Sequence, residues 1–120
     1  MTSQQVVEAY YSAFTNQEPQ WKEFVSETIK FWGPLQQTET YDEFVAVNEQ
    51  FLPLLKDAKL LRRTADAKTV CSEFEYTVNT PSGGELVFRT AEFAEVVENK
   101  ITSFTLYYDP TAFAKAFNMG

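Results

Sequence analysis

The sequence predicts one α+β domain, helices first and then a curved antiparallel sheet folded around an aromatic-lined pocket. Three observations carry this. Apolar residues recur at helical spacing in the first half, and from Lys59 onward the period changes to that of strands. Turn signals divide the second half into consecutive hairpins, which make a meander rather than β-α-β units. Aromatic residues make up 16% of the 120 residues, and Phe alone accounts for 11. A small fold with that much ring surface packs very large side chains or lines a cavity with them.

The elements follow in order. Ser3 is the expected N-cap of a first helix that runs to about Thr15, with Val6, Val7, Tyr10, Tyr11 and Phe14 on its inner face. Glu18-Pro19 breaks it and starts a short second helix, which turns Trp21, Phe24 and Val25 inward. Thr28 to Trp32 reads as a short strand that ends at Gly33-Pro34. Thr40-Tyr41-Asp42-Glu43 matches a capping box. The helix behind it carries Phe44, Val47, Phe51 and Leu54 on one face, and Pro53 bends or ends it. Strands are predicted at Lys59–Asp66, Val70–Thr80, Glu85–Val97 and Ile101–Tyr108. Pro81-Ser82-Gly83-Gly84 and Glu98-Asn99-Lys100 are the turns between the last three. A final short helix begins at Asp109-Pro110 and carries Phe113 and Phe117.

Charge and composition narrow the function classes. The formal net charge is −7, and the basic residues do not cluster beyond the pair Arg62-Arg63. Nucleic acid and anionic membranes are therefore not expected as partners. There is no histidine, which excludes imidazole acid–base catalysis, Ser-His-Asp triads and His-ligated metals. Cys71 is the single cysteine, so no intramolecular disulfide forms, which fits a reducing compartment. The start of the chain has no signal-peptide pattern, and no apolar run is long enough to cross a bilayer. A cytoplasmic protein is expected, with neither a metal nor another cofactor.

In the last strand, Phe104, Leu106 and Tyr108 alternate to one face, and Ile101 and Tyr107 to the other. Apolar residues on both faces imply that both are covered. The helices cover one, and a second copy of the chain, in a homodimer through the outer sheet face, is the simplest cover for the other.

The helix-then-meander order, the start Val6-Val7-Glu8-Ala9-Tyr10-Tyr11, the Gly33-Pro34 turn and the end Asn99-Lys100-Ile101 to Tyr107-Tyr108-Asp109-Pro110 resemble one superfamily. The chain looks like a nuclear transport factor 2-like domain of the SnoaL-like, polyketide-cyclase-like group, over residues 1–120. The resemblance implies a cone-shaped roll of the cystatin or ketosteroid-isomerase kind. Its sheet curls around a deep apolar pocket, commonly in a dimer. It also implies three chemistries, none complete here. For ketosteroid isomerase-like members, Tyr10 matches the tyrosine and Glu92 lies near the acid, but Trp32-Gly33 stands where the base belongs. For polyketide cyclases, Leu106 replaces the aspartate. For limonene-epoxide hydrolase-like members, Asp109 matches one acid, while Glu73-Phe74-Glu75 keeps an acid and loses the arginine.

The polar candidates each have a second reading. Asp109 is a raised-pKa acid at the pocket mouth, the N-cap of the final helix, or both. Glu92 shares a face with Leu86 and Phe88; it is a buried carboxylate partnered by Tyr10, or a surface or ion-paired residue. Arg89 alternates to the opposite face from Glu92. Glu73 and Glu75 share a face, which suggests solvent, and Cys71 is expected as an inert buried thiol. The expected catalytic residues are thus Glu92, Asp109 and Tyr10, and the expected pocket residues Tyr10, Phe14, Trp32, Phe51, Phe88 and Glu92. The function expected is the binding of a small, largely apolar molecule, with general acid–base isomerase, cyclase or hydrolase chemistry open. The alternative is a non-catalytic homodimeric association domain whose cavity its own aromatics fill.

Overall fold

Helix α1 (Ser3–Thr15) is capped one residue earlier than expected. The computed structural model, which describes residues 1–118, places Thr2 at the N-cap, with its hydroxyl accepting from the Gln5 amide and the Gln5 side chain accepting from the Thr2 amide. Ser3 lacks such a partner three residues on, where Val6 stands, and its hydroxyl donates instead to the Ala67 carbonyl. A 3₁₀ turn at Pro19–Phe24 follows, with Pro19 in its first positions. It buries Trp21 against the rings of Phe14 and Tyr10, whose centroids lie 5.5 and 6.1 Å away.

Strand β1 (Val25–Trp32) starts earlier than expected, because Val25 pairs with Ile101 far along the chain. A short β2 (Gln37–Thr38) folds back on it. Helix α2 (Tyr41–Phe51) has the expected capping box, closed by Thr40 and Glu43, and Pro53 stands in the 3₁₀ turn that ends it. Then come β3 (Leu55–Ala65), β4 (Thr69–Asn79), β5 (Glu85–Val97), β6 (Lys100–Tyr107) and the short α3 (Thr111–Ala116). The β4–β5 turn passes through Gly83 at φ +87°, where a side chain would be strained. The β5–β6 turn uses Glu98 and Asn99, both at positive φ, as a two-residue hairpin that matches strand twist requires.

The sheet order is β2-β1-β6-β5-β4-β3. From β3 to β6 it is the expected antiparallel meander, but β1 pairs with β6 in parallel, so the sheet is mixed rather than wholly antiparallel. A strand local in sequence cannot announce the direction of a partner some 70 residues away. One further expectation changes. Glu95 pairs with Ser103 and Val96 with Ile101, so Thr102 is an extra residue, a bulge in β6. The bulge reverses the alternation, and Ile101 joins Phe104 in the core, both nearly inaccessible.

Helix α1 lies across the inner face of the sheet. Its Val6, Val7, Tyr10, Tyr11 and Phe14 pack with Val70, Phe74, Val78, Ala94 and Phe104 in one core. Strand β4 shows the parity most clearly: Val70, Ser72, Phe74, Tyr76 and Val78 are buried, while the residues between them are more exposed. No helix among the described residues is long and apolar enough to cross a membrane.

Candidate functional site

The inner sheet face and the helices leave a cavity of about 330 Å³. Strands β5 and β6 give its floor through Phe88, Thr90, Glu92, Phe104 and Leu106; β4 adds Tyr76. Helix α1 contributes Tyr10, Tyr11 and Phe14 from above, and α2 contributes Phe51 and Asn48. Phe113 of α3 and Phe117 just after it add to the wall; their rings stack at 4.6 Å, and Phe113 meets Phe88 at 5.5 Å. Among the described residues, more than half of the lining is aromatic and Glu92 is its only acidic or basic side chain.

Glu92 sits at the deep, polar end. It lies mid-strand on β5 and is 5% exposed. Three hydroxyls donate to its carboxylate: Tyr11 to Oε1 at 2.5 Å, Tyr76 to Oε2 at 2.7 Å and Thr90 to Oε2 at 2.6 Å. The donors arrive from three elements. Thr90 is two residues back on the same face of β5, Tyr76 stands on the neighbouring β4, and Tyr11 descends from α1. Burial pushes the Glu92 carboxyl above its ordinary range, and the three hydrogen bonds oppose but do not cancel that push. Burial, and then the charge of Glu92, holds the hydroxyls of Tyr10, Tyr11 and Tyr76 well above theirs. A carboxyl that holds its proton more tightly than an exposed glutamate, in an apolar cavity, is suited to exchange a proton with a bound molecule.

Behind this cluster lies a cation. Arg63, Ser72, Glu92 and Leu106 pair side by side across β3 to β6. The Arg63 guanidinium lies 5.4 Å from the Tyr11 ring centroid, and its Nε donates to the Ser72 hydroxyl at 2.8 Å. It stays outside the cavity wall and approaches Glu8 at 4.0 Å. Its charge still counters some of the burial cost at Glu92.

A family model described as a SnoaL-like domain matches residues 7–104. The chain belongs to the SnoaL-like domain family. Its fold is similar to that of an NTF2-like protein from Burkholderia thailandensis, at 21% identity, TM-score 0.83 and 97% of each chain covered. It is also similar to a proposed polyketide cyclase from Xanthomonas campestris pv. campestris, at 19% identity, TM-score 0.79 and 95% of each chain covered. TerC, co-crystallised with polyporic acid, matches at 13% identity and TM-score 0.80, covering 95% of this chain and 96% of that one. At these identities the likeness shows the fold alone. No curated protein matches the sequence.

In this SnoaL-like domain the residues expected from sequence divide. Tyr10, Phe14, Phe51, Phe88 and Glu92 stand in the cavity wall. Trp32 does not. It is 45% exposed on the outer sheet face, 5.7 Å from the Tyr107 ring, and Phe31 takes the inner position against Phe44. Parity decides this: Ile29 and Phe31 point inward, so Trp32 points out. Asp109 is also corrected. It is exposed outside the cavity, and the Thr111 amide donates to its Oδ1, which holds its carboxyl below the ordinary range. It is the turn-forming residue ahead of α3 and no raised-pKa acid. Tyr10 lines the cavity, but the helical partner of Glu92 is Tyr11.

Sequence reading missed Tyr76, Thr90 and Arg63. Thr90 carried a signal, since residues two apart on a strand share a face. Tyr76 shares the apolar parity of β4 with Val70, Phe74 and Val78, but its meeting with Glu92, like the place of Arg63, depends on the register of β3, β4 and β5. Glu73 and Glu75 lie on the outer face, in ion pairs with Arg62 and Arg89. Among the described residues, no group of three or more Cys, Asp or Glu side chains could hold a metal ion.

Proposed function

We propose that this SnoaL-like domain binds a small, largely apolar molecule in its conical cavity and that Glu92 is the group that exchanges a proton with it. The observation that carries the reading is the single buried carboxylate, held by three hydroxyls, at the end of an aromatic cavity of about 330 Å³. That volume lies at the low end of small-molecule sites, about 300–1,000 Å³. The solved TerC structure with polyporic acid supports small-molecule binding by this fold. The chemistry open to the site is general acid–base isomerisation, cyclisation or hydrolysis, with Glu92 as acid or base and Tyr10 facing the ligand. An association domain packed solid by its own aromatics is the weaker reading, because the rings line space rather than fill it.

Native mass spectrometry with a panel of small aromatic and alicyclic molecules tests this. One-to-one adducts are expected, and Leu106→Trp, which fills the floor, should abolish them. No adduct with any member, or adducts untouched by Leu106→Trp, would overturn the reading.

The outer face supports a homodimer as a separate proposal. Trp32, Phe93 and Tyr107 form an exposed aromatic cluster there, with Tyr107 5.7 Å from Trp32 and 6.0 Å from Phe93. Exposed rings grouped in this way mark an interaction surface. Trp32→Glu should halve the mass seen by light scattering while leaving the circular dichroism unchanged. A wild-type protein that is already monomeric at micromolar concentration refutes the dimer.

A further inference from the structure

We propose that the cavity selects a protonated amine carried on an apolar body, bound with its ammonium group at Glu92. This deepens the small-molecule reading and rests on it. Three features of the lining argue for it. The first is sign. Among the described residues, Glu92 is the only charged-type side chain facing the cavity, with no Lys or Arg in its lining. The whole chain carries −7, so its field also favours cations over anions. The nearby Arg63 is not among the lining residues; it lies 5.4 Å from the Tyr11 ring centroid and is engaged by Ser72 and Glu8.

The second is an open acceptor. A carboxylate offers about four lone-pair sites. Tyr76 and Thr90 occupy both on Oε2, and Tyr11 occupies one on Oε1. One remains on Oε1. All three protein groups are hydroxyls already donating, so the free site calls for a further donor, and an N–H of an ammonium group supplies one with charge. The third is the surround. Tyr10, Tyr11, Tyr76, Phe88, Phe104 and Tyr108 all line this cavity with Glu92. Ring faces attract a cation and repel an anion through their quadrupole. A carboxylate with aromatic rings about it thus rewards a cation twice, once by charge and once by the rings. A neutral donor such as an alcohol gains only the hydrogen bond.

The test compares three probes of nearly one shape on the intact protein by calorimetry at neutral pH: 2-phenylethylamine, 2-phenylethanol and 3-phenylpropionate. The amine should bind about tenfold tighter than the alcohol or better, and the carboxylate should bind weakest. In Glu92→Gln, checked for folding by circular dichroism, the amine should lose its advantage while the alcohol is little changed. The ranking in the wild-type protein stands as a test even where that variant fails to fold. An alcohol that binds as tightly as the amine, or an amine preference that survives Glu92→Gln, overturns the proposal and leaves the cavity reading in place. Binding of none of the three, combined with no adducts from the wider panel, overturns both.

Discussion

Tyr11→Phe isolates the hydrogen bond that ties α1 to the buried carboxylate. The substitution keeps the ring, which packs 4.6 Å from Phe74 and 6.2 Å from Phe104, and deletes only the hydroxyl that donates to Glu92 Oε1 at 2.5 Å. A hydrogen bond to an ionised group contributes about 1.5–3 kcal/mol. Water entering from the cavity can replace part of it, so a loss of ~2 kcal/mol is expected at neutral pH. With a urea slope of about 2 kcal/mol per molar, the unfolding midpoint should fall by ~1 M. The sign with pH follows from the donor. The bond favours the ionised carboxylate, so removing it raises the folded-state pKa of Glu92 further above its ordinary value. The stability that Tyr11 supplies is therefore largest above that pKa. It shrinks as pH falls through it, toward the ~1 kcal/mol of a neutral hydrogen bond. Tyr10→Phe is the control, since Tyr10 is equally buried on the same helix but gives Glu92 no hydrogen bond. Urea melts at about pH 4 and pH 7 provide the comparison. A Tyr11→Phe loss no larger than that of Tyr10→Phe, or one equal at both pH values, would refute this account of the cluster.

Three further outcomes follow from the same structure. Glu92→Gln removes a group whose folded pKa is raised, and such a group adds stability at low pH that is lost as pH rises through that pKa; the variant should gain on wild type between about pH 4 and pH 7, and a flat difference in urea melts would contradict the burial effect. Phe44→Ala should cost about 3–5 kcal/mol by chemical denaturation, because Phe44 is 1% exposed and stacks on Phe104 at 5.9 Å; a loss under ~1 kcal/mol would mean that the site collapses freely. Asp109→Asn should leave ligand binding by calorimetry unchanged, since the residue is exposed outside the cavity; a tenfold weakening would restore it to the site.

Much of this fold was legible because its signals are local. The capping box at Thr40 and Glu43 and the glycine turn at Gly83 act within a few residues, and so does the facing of Phe14 and Phe44 on their helices. Alternation along β5 put Glu92 on one face with Phe88 and Arg89 on the other, and the structure shows that the Glu92 face is the inner one. The same rule applied to β1 would have put Phe31 in and Trp32 out. Where the local rule broke, an inserted residue broke it: Thr102 reverses the parity of β6 and sends Ile101 into the core.

The sequence by itself determined the order of elements, the phase of each helix, an aromatic interior and a carboxylate on the same face of β5 as Leu86 and Phe88; that this face is the inner one came from the packing of α1 and α2 on the sheet. Tertiary structure alone decided what that carboxylate meets. Tyr10 and Tyr11 diverge by roughly 100° on one helix turn, and only the packing angle of α1 on the sheet selects Tyr11 as the donor. Tyr76 and Arg63 reach the cluster through the pairing register of β3, β4 and β5, and the parallel direction of the β1–β6 pair is set only when the two strands meet. Periodicity is written within a segment. Register, strand direction and helix tilt arise between segments, where close packing of distant side chains decides them.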